Sequence, residues 1–338
     1  YFSRKTQNFR AMPLTTRAKS RILNRKRTKK HFLQGGLRLK TIAHGDRKDA
    51  TRVRDADTMH KFLPFLMPNR ADNEAVMTEL IDLAPIQAYI DQKNSENPAF
   101  KYTFFHVISA ALAKTIALRP KLNRFYSGHR LYQRRDISLS FVVKKEFSDN
   151  GDEGLAIVCI DPAGDSPLSQ LRAQVESIIH KVRDQKQTDG TTDAMDKLLQ
   201  MPRPILRFAM RFLRFLEYHG WYPRALMNED PYYTSVFISN LGSIHMHANY
   251  HHLANWGTNS IFAIIGEKKK FPVYWDDGCV EIQSCVPLSL TVDERIADGY
   301  YYAQSIQLLL RLLRHPDLLD LPTAELPEET EKKGSCVS

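Results

Sequence analysis

The chain has 338 residues, 43% of them hydrophobic, 25% charged and 10% aromatic. That composition can bury a sizeable core, and it excludes a mainly disordered, collagen-like or small disulfide-stapled protein. The formal charge of +10 is unevenly placed: residues 1–45 hold thirteen Lys or Arg and no acid, which leaves −3 for the rest.

Residues 1–45 therefore read as a basic, flexible N-terminal arm, either simply solvated or able to hold an acidic partner, RNA or an anionic membrane. A body so close to neutral argues against nucleic acid as the main partner. From residue 46, strands and helices alternate. AVMTELID (75–82) predicts a strand and LAPIQAYIDQ a short helix after it. Phe104, Ile108, Leu112 and Ile116 recur every four residues and predict a helix that closes before Pro120. DISLSFVV (136–143) and LAIVCID (155–161) are β-rich runs, and Leu168, Leu171, Val175, Ile178 and Val182 mark an amphipathic helix.

The segment 201–227 is unusual. On a helix, Arg203, Arg207, Arg211 and Arg214 fall within about 80°, and Ile205, Phe208, Phe212, Phe215 and Leu216 fill the rest. Such a helix is expected to dock on its own domain or a sister subunit, or to adsorb to an anionic membrane. TSVFISNLG (234–242), SIFAIIGE (260–267) and VEIQSCVPLSLTV (280–292) predict three further strands. A last helix starts after Asp298–Gly299, with Tyr302, Ile306, Leu309 and Leu313 inward, and ends at Pro316. Residues 321–338 are Pro- and Glu-rich and read as a disordered acidic tail. The mixture predicts a layered α/β domain with a large mixed sheet flanked by helices.

The polar residues announce no mechanism by themselves. Cys159, Cys279, Cys285 and Cys336 form no C-x-x-C pair, so reduced thiols and a cytoplasmic protein, at most peripheral to a membrane, are expected. His245, His247, His251 and His252 cluster, but no Cys or carboxylate stands near them at ligand spacing, so no metal is expected. Neither G-x-G-x-x-G after a strand nor G-x-x-x-x-G-K-[ST] occurs, which removes dinucleotide and P-loop readings. Ser239 lies where a strand meets a turn. Glu294 and Asp298 occupy a strand-to-helix junction, where Asp298 is expected to cap the helix or pair with Arg295.

The order V-F-I-S-N-L-G, a β run ending in G-E, then P-L-S-L-T-V-D-E-R-I-A-D-G and a Tyr/Ala/Leu helix ending in R-H-P resembles one family. It is the catalytic domain of the dihydrolipoamide acyltransferases of 2-oxo acid dehydrogenase complexes, related to chloramphenicol acetyltransferase. The likeness extends over about residues 46–320. It implies a chloramphenicol acetyltransferase-like fold and a homotrimer with active sites between subunits, using coenzyme A or acyl-CoA as substrate. In that family a histidine of D-H-R-x-x-D-G deprotonates the thiol and a serine of I-S-N/S-L-G stabilises the oxyanion. Ser239 matches that serine, and Asp298 matches the acidic position that holds the site together.

The histidine does not match, because Glu294 stands in its place. A solvated carboxylate, with a pKa near 4.3, is a weak base for a thiol near 8.5. Three readings stay open: Glu294 made more basic by burial between subunits, a histidine such as His252 entering from the loop after Ser239, or loss of deprotonation. The segment YHHLANWGTNS replaces the Pro-rich stretch of the family, the helix near 201–227 reads as an insertion, and nothing resembles a lipoyl domain. The resemblance thus implies a CoA-dependent acyltransferase acting on a thiol or other small or carrier-bound acceptor. Its alternative is a silent trimer that binds acyl-CoA or scaffolds a partner.

Overall fold

In a computed structural model, residues 45–144, 153–184, 200–274 and 278–327 are described. The arm 1–45 lies outside them except for Gly45, as do Cys336 and the tail from 328. The chain enters with β1 (Ala50–Arg52), α1 (Thr58–Leu66) and β2 (Glu74–Asp82), followed by α2 (Ala84–Ser95) and α3 (Phe104–Leu118). Next come β3 (Arg124–Ser127), β4 (Arg130–Arg134), β5 (Ile137–Lys144), β6 (Glu153–Ile160) and α4 (Pro167–Asp184). Then follow α5 (Arg203–His219), α6 (Arg224–Glu229), β7 (Val236–Asn240) and β8 (Ile261–Ile265). The chain closes with β9 (Lys269–Tyr274), β10 (Val280–Asp293) and α7 (Gly299–Arg314).

The large sheet runs β2-β10-β8-β7-β5-β6, with β9 paired to the far half of β10. β5, β7 and β8 are mutually parallel and the remaining pairs antiparallel, so the sheet is mixed as expected. A second sheet, β1-β4-β3, is small. The alternation along β10 decides which face is which. Leu288, Leu290 and Val292 enter the main core beneath the helices, while Ser289, Thr291 and Asp293 point to the opposite face and are still buried.

Helix α3 is the centre of that core. Every residue from His106 to Ile116 is buried, so the four-residue apolar spacing understates a helix surrounded on all sides. Thr103 and His106 close its first turn reciprocally: the hydroxyl and the ring Nδ1 lie 2.7 Å apart, and the Thr103 amide donates to Nδ1 at 3.1 Å. Lys114, fully buried on the same helix, donates to the carbonyls of Leu318, Leu321 and Pro322 at 2.7–3.1 Å. Those bonds correct the expected disordered tail from 321. Its first residues are docked, and Thr323 is buried and donates to the Asp165 carbonyl.

The Arg-striped segment docks on its own domain only in part. Helix α5 forms, but none of its residues is fully buried. It is anchored mainly at its C-terminal end, where the Arg47 guanidinium contacts Glu217 at 2.8 Å and Asp49 at 2.9 Å. Gly128, with φ +54, sits so close to this helix that a Cβ would lie 2.1 Å from the Tyr218 carbonyl oxygen. Only glycine fits that hairpin.

Candidate active site

The junction between β10 and α7 is pinned from several sides. Asp293, with no exposed surface, accepts from Arg295 Nε at 2.8 Å and from a terminal Arg295 nitrogen at 2.7 Å. Arg295 spends its other donor capacity on the carbonyls of Met67 and Pro68, at 2.7 and 3.2 Å, and its guanidinium lies over the Tyr126 ring. The Tyr302 hydroxyl donates to the Asp293 carbonyl, and the Glu294 amide donates to the Asn73 carbonyl. A paired buried charge with its remaining donors satisfied defines one geometry for the turn. Glu294, between the two members of the pair, is exposed.

Asp298 caps α7, accepting from the Tyr301 amide at 2.8 Å. That bond, together with Lys121 at 3.8 Å, holds its carboxyl below the usual range. Of the two roles expected of Asp298, capping is the one found. Arg295 pairs with Asp293 instead, because the strand-to-turn geometry puts i and i+2 side by side.

Ser239 is half-buried near the C-terminal end of β7, beside Ile264 of β8. Val236 and Ile238 face the helices, so Ser239, like Phe237, belongs to the opposite face. Register then fixes its place: Ser239, Ile264, Ser289 and Thr78 stand opposite one another across four strands. Glu294 leaves β10 five residues beyond Ser289 and two strands from Ser239. That is about 17 Å along the sheet and about 10 Å across it. Within one protomer the serine and the glutamate do not meet.

The histidine loop covers the same face as Ser239. His251 stacks on Phe262, with centroids 4.2 Å apart, and Phe262 stacks on Phe237, two residues before Ser239. His252 is exposed and stacks on His251. His245 lies 3.4 Å from Glu267, and His247 lies 2.9 Å from Lys269. Among the described residues no group of three potential metal ligands comes together. The loop is tied to the Glu294 turn through Arg70, which donates to the carbonyls of Ala254 and Gly257 and approaches Asp293 to 3.8 Å.

Sequence reasoning missed a cavity of about 600 Å³ beside this turn. Arg52, Arg54, Lys61 and Arg130 line it, together with His60 and His129; Asp46 lies 3.5 Å from Arg54 and Asp57 2.7 Å from His60. Its α1 wall is fixed to the Glu294 turn by Tyr126, whose hydroxyl donates to the His60 carbonyl at 2.7 Å and lies 3.3 Å from that of Arg295. The arginines come from β1, β4 and the loop between β1 and α1, so only the three-dimensional arrangement makes them a cluster. The one hint in the sequence is the R-x-R spacing at 52–54.

The family described as 2-oxoacid dehydrogenases acyltransferase (catalytic domain) matches residues 51–193 and 224–321. The chain belongs to this family. The two matched stretches leave out the whole of α5. A curated relative, the lipoamide acyltransferase component of the branched-chain alpha-keto acid dehydrogenase complex of Bacillus subtilis, is 24% identical over 222 residues. The match spans 65% of this chain and 41% of the relative's length.

Solved structures show the fold. A probable dihydrolipoamide acetyltransferase from Listeria monocytogenes has a TM-score of 0.51 at 14% identity, covering 76% of this chain and 88% of its own. The dihydrolipoamide acetyltransferase of Azotobacter vinelandii has a TM-score of 0.50 at 19% identity, covering 80% of this chain and 94% of its own. That enzyme was investigated for the roles of one serine, one histidine and one asparagine in its catalytic mechanism. The fold is thus the layered, chloramphenicol acetyltransferase-like α/β architecture read from the sequence. Among the described residues no helix is long and apolar enough to cross a membrane.

Proposed function

We propose that the protein is a CoA-dependent acyltransferase whose active site forms between copies in a homotrimer. The observation that carries this reading is the Asp293–Arg295 pair, which fixes the D-E-R turn and leaves residue 294 exposed. The spacing supports it too. The histidine and asparagine of the Azotobacter enzyme are four residues apart, as are Glu294 and Asp298, and its serine precedes the histidine by 52 residues, against 55 here. Because Ser239 and Glu294 are far apart in one protomer, a reaction using both draws them from neighbouring copies.

In this arrangement Ser239 donates a hydrogen bond to the tetrahedral oxyanion, Asp298 braces the start of α7, and Glu294 accepts the thiol proton as a neighbour covers it. Packing against a second copy removes water from an exposed carboxylate and makes it more basic. The cationic cavity beside the turn supplies the charge that the phosphates of CoA require. The acceptor is a thiol or another small or carrier-bound nucleophile. His252 has a supporting role on the Ser239 face, where its partner His251 roofs Phe262.

One observation favours a second reading. Glu294 lacks a histidine's basicity and stands in solvent in the protomer, which suits a silent acyl-CoA binder. Calorimetric titration with CoA and acetyl-CoA, followed by acyl-transfer assays of Ser239→Ala, separates the two. The enzyme binds CoA and loses roughly 10²–10³ in turnover with the substitution. A binder shows the first result with no turnover to lose, and absence of CoA binding by folded protein refutes both.

A further inference from the structure

Helix α5 is left unexplained by acyl transfer. It lies wholly outside the family match, so contacts common to the family do not account for it. Its surface has three sides. Leu213 and Glu217 face the body, where Leu213 packs near Tyr222 and Glu217 binds Arg47. Phe208, Phe212 and Phe215 are 73%, 51% and 50% exposed on a second side. Arg203, Arg207, Arg211 and Arg214 form the third, next to the phenylalanines and also exposed. The only acid on the helix is Glu217, and the body already uses it.

The apolar side continues past the helix end. His219 stacks on Trp221, itself 61% exposed, and Phe215 packs against both rings. In the other direction His219 meets Tyr218, Tyr218 meets His129, and His129 stacks on Phe65 at the rim of the cationic cavity. The result is a run of exposed rings flanked by guanidinium groups. A protein partner would have to supply both a matching apolar groove and a dense row of acids. A bilayer interface supplies an apolar layer and a sheet of phosphates at the adjacent depth, and it favours amphipathic rings there.

We propose that α5 and the following turn dock the protein on an anionic membrane surface, with Phe208, Phe212, Phe215 and Trp221 entering the headgroup–acyl boundary and the four arginines at the phosphates. The thirteen basic residues of 1–45 add attraction of the same sign. This inference rests on α5 and its neighbours, not on the acyl-transfer reading.

Co-sedimentation of the full chain with vesicles tests it. Phosphatidylcholine vesicles containing about one-third phosphatidylglycerol should carry the protein into the pellet, and pure phosphatidylcholine vesicles should not. Phe208→Ser with Phe212→Ser keeps every charge and should lower binding roughly tenfold or more. Arg207→Gln with Arg211→Gln, or salt near 0.5 M, should do the same. Trp221 fluorescence should shift to the blue and be quenched by brominated lipid, a response lost in Trp221→Phe. Binding that survives the double phenylalanine substitution would assign the attraction to the basic arm and overturn the proposal. So would absence of binding, or a change in the mass of the assembly caused by that substitution in solution, which would make the face a protein contact.

Discussion

Substituting Glu294→His asks whether the turn still serves as a catalytic platform. The side chain is exposed, and the bonds that hold the turn come from Asp293, Arg295, Tyr302 and the residue-294 amide. The change therefore leaves the fold intact, and the melting temperature should move by no more than about 2 °C, as for other surface substitutions. The gain comes from basicity. Model carboxylate, imidazole and thiol groups titrate near 4.3, 6.5 and 8.5, so the substitution closes about two units of the mismatch with the thiol. With a Brønsted coefficient of about one half, that is roughly a tenfold faster proton transfer near pH 7. Transfer from acetyl-CoA to dihydrolipoamide, followed by thioester absorbance, is a direct assay. The variant should also acquire a pH dependence with an inflection near 6.5. An unchanged rate whose pH profile also lacks that inflection, in protein of wild-type stability and CoA affinity, would show that residue 294 does not face the reacting thiol.

Asp293→Asn should be far more disruptive, because it leaves Arg295 buried without its counter-charge and Arg70 with less compensation nearby. Breaking such a pair costs about 3–5 kcal/mol, a drop of about 10 °C in melting temperature, and a shift below about 2 °C would contradict the argument. His106 gives a pH signature. Burial, reinforced by Arg172, pushes its imidazole down to about 4, so the unfolded chain takes up a proton that the folded chain refuses. Its contribution is fully present above about pH 6.5 and is lost as pH falls through 4, amounting to about 3 kcal/mol. Urea melts of His106→Gln, which retains a side chain able to close the capping box, should show a flatter acid limb; an identical limb would exonerate His106.

Much of the fold was legible because its elements obey local periods. The β-rich runs at β2, β5, β6, β8 and β10 and the three- and four-residue apolar spacings of α3, α4 and α7 all appear where the sequence places them. Capping by Asp298 was readable too, since a capping side chain acts within three residues of itself. The small sheet and α1 escaped notice: their strands are three to five residues long, and Pro64 interrupts the helix pattern. The tail boundary was misplaced because Lys114, some two hundred residues earlier in the chain, supplies the donors that dock it.

The sequence by itself determined the family, through motifs whose order survives wide divergence, and it singled out Glu294 as the departure. Only the tertiary structure decided which residues share a site. Sheet register separates Ser239 from Glu294 within a protomer, and Asp293 turns out to be the partner of Arg295. Arg52, Arg54, Lys61 and Arg130 converge on one cavity although they belong to different elements. The physical reason is range. Periodicity and capping are set by neighbours a few residues apart, whereas charge pairing, register and burial depend on groups brought together from distant parts of the chain.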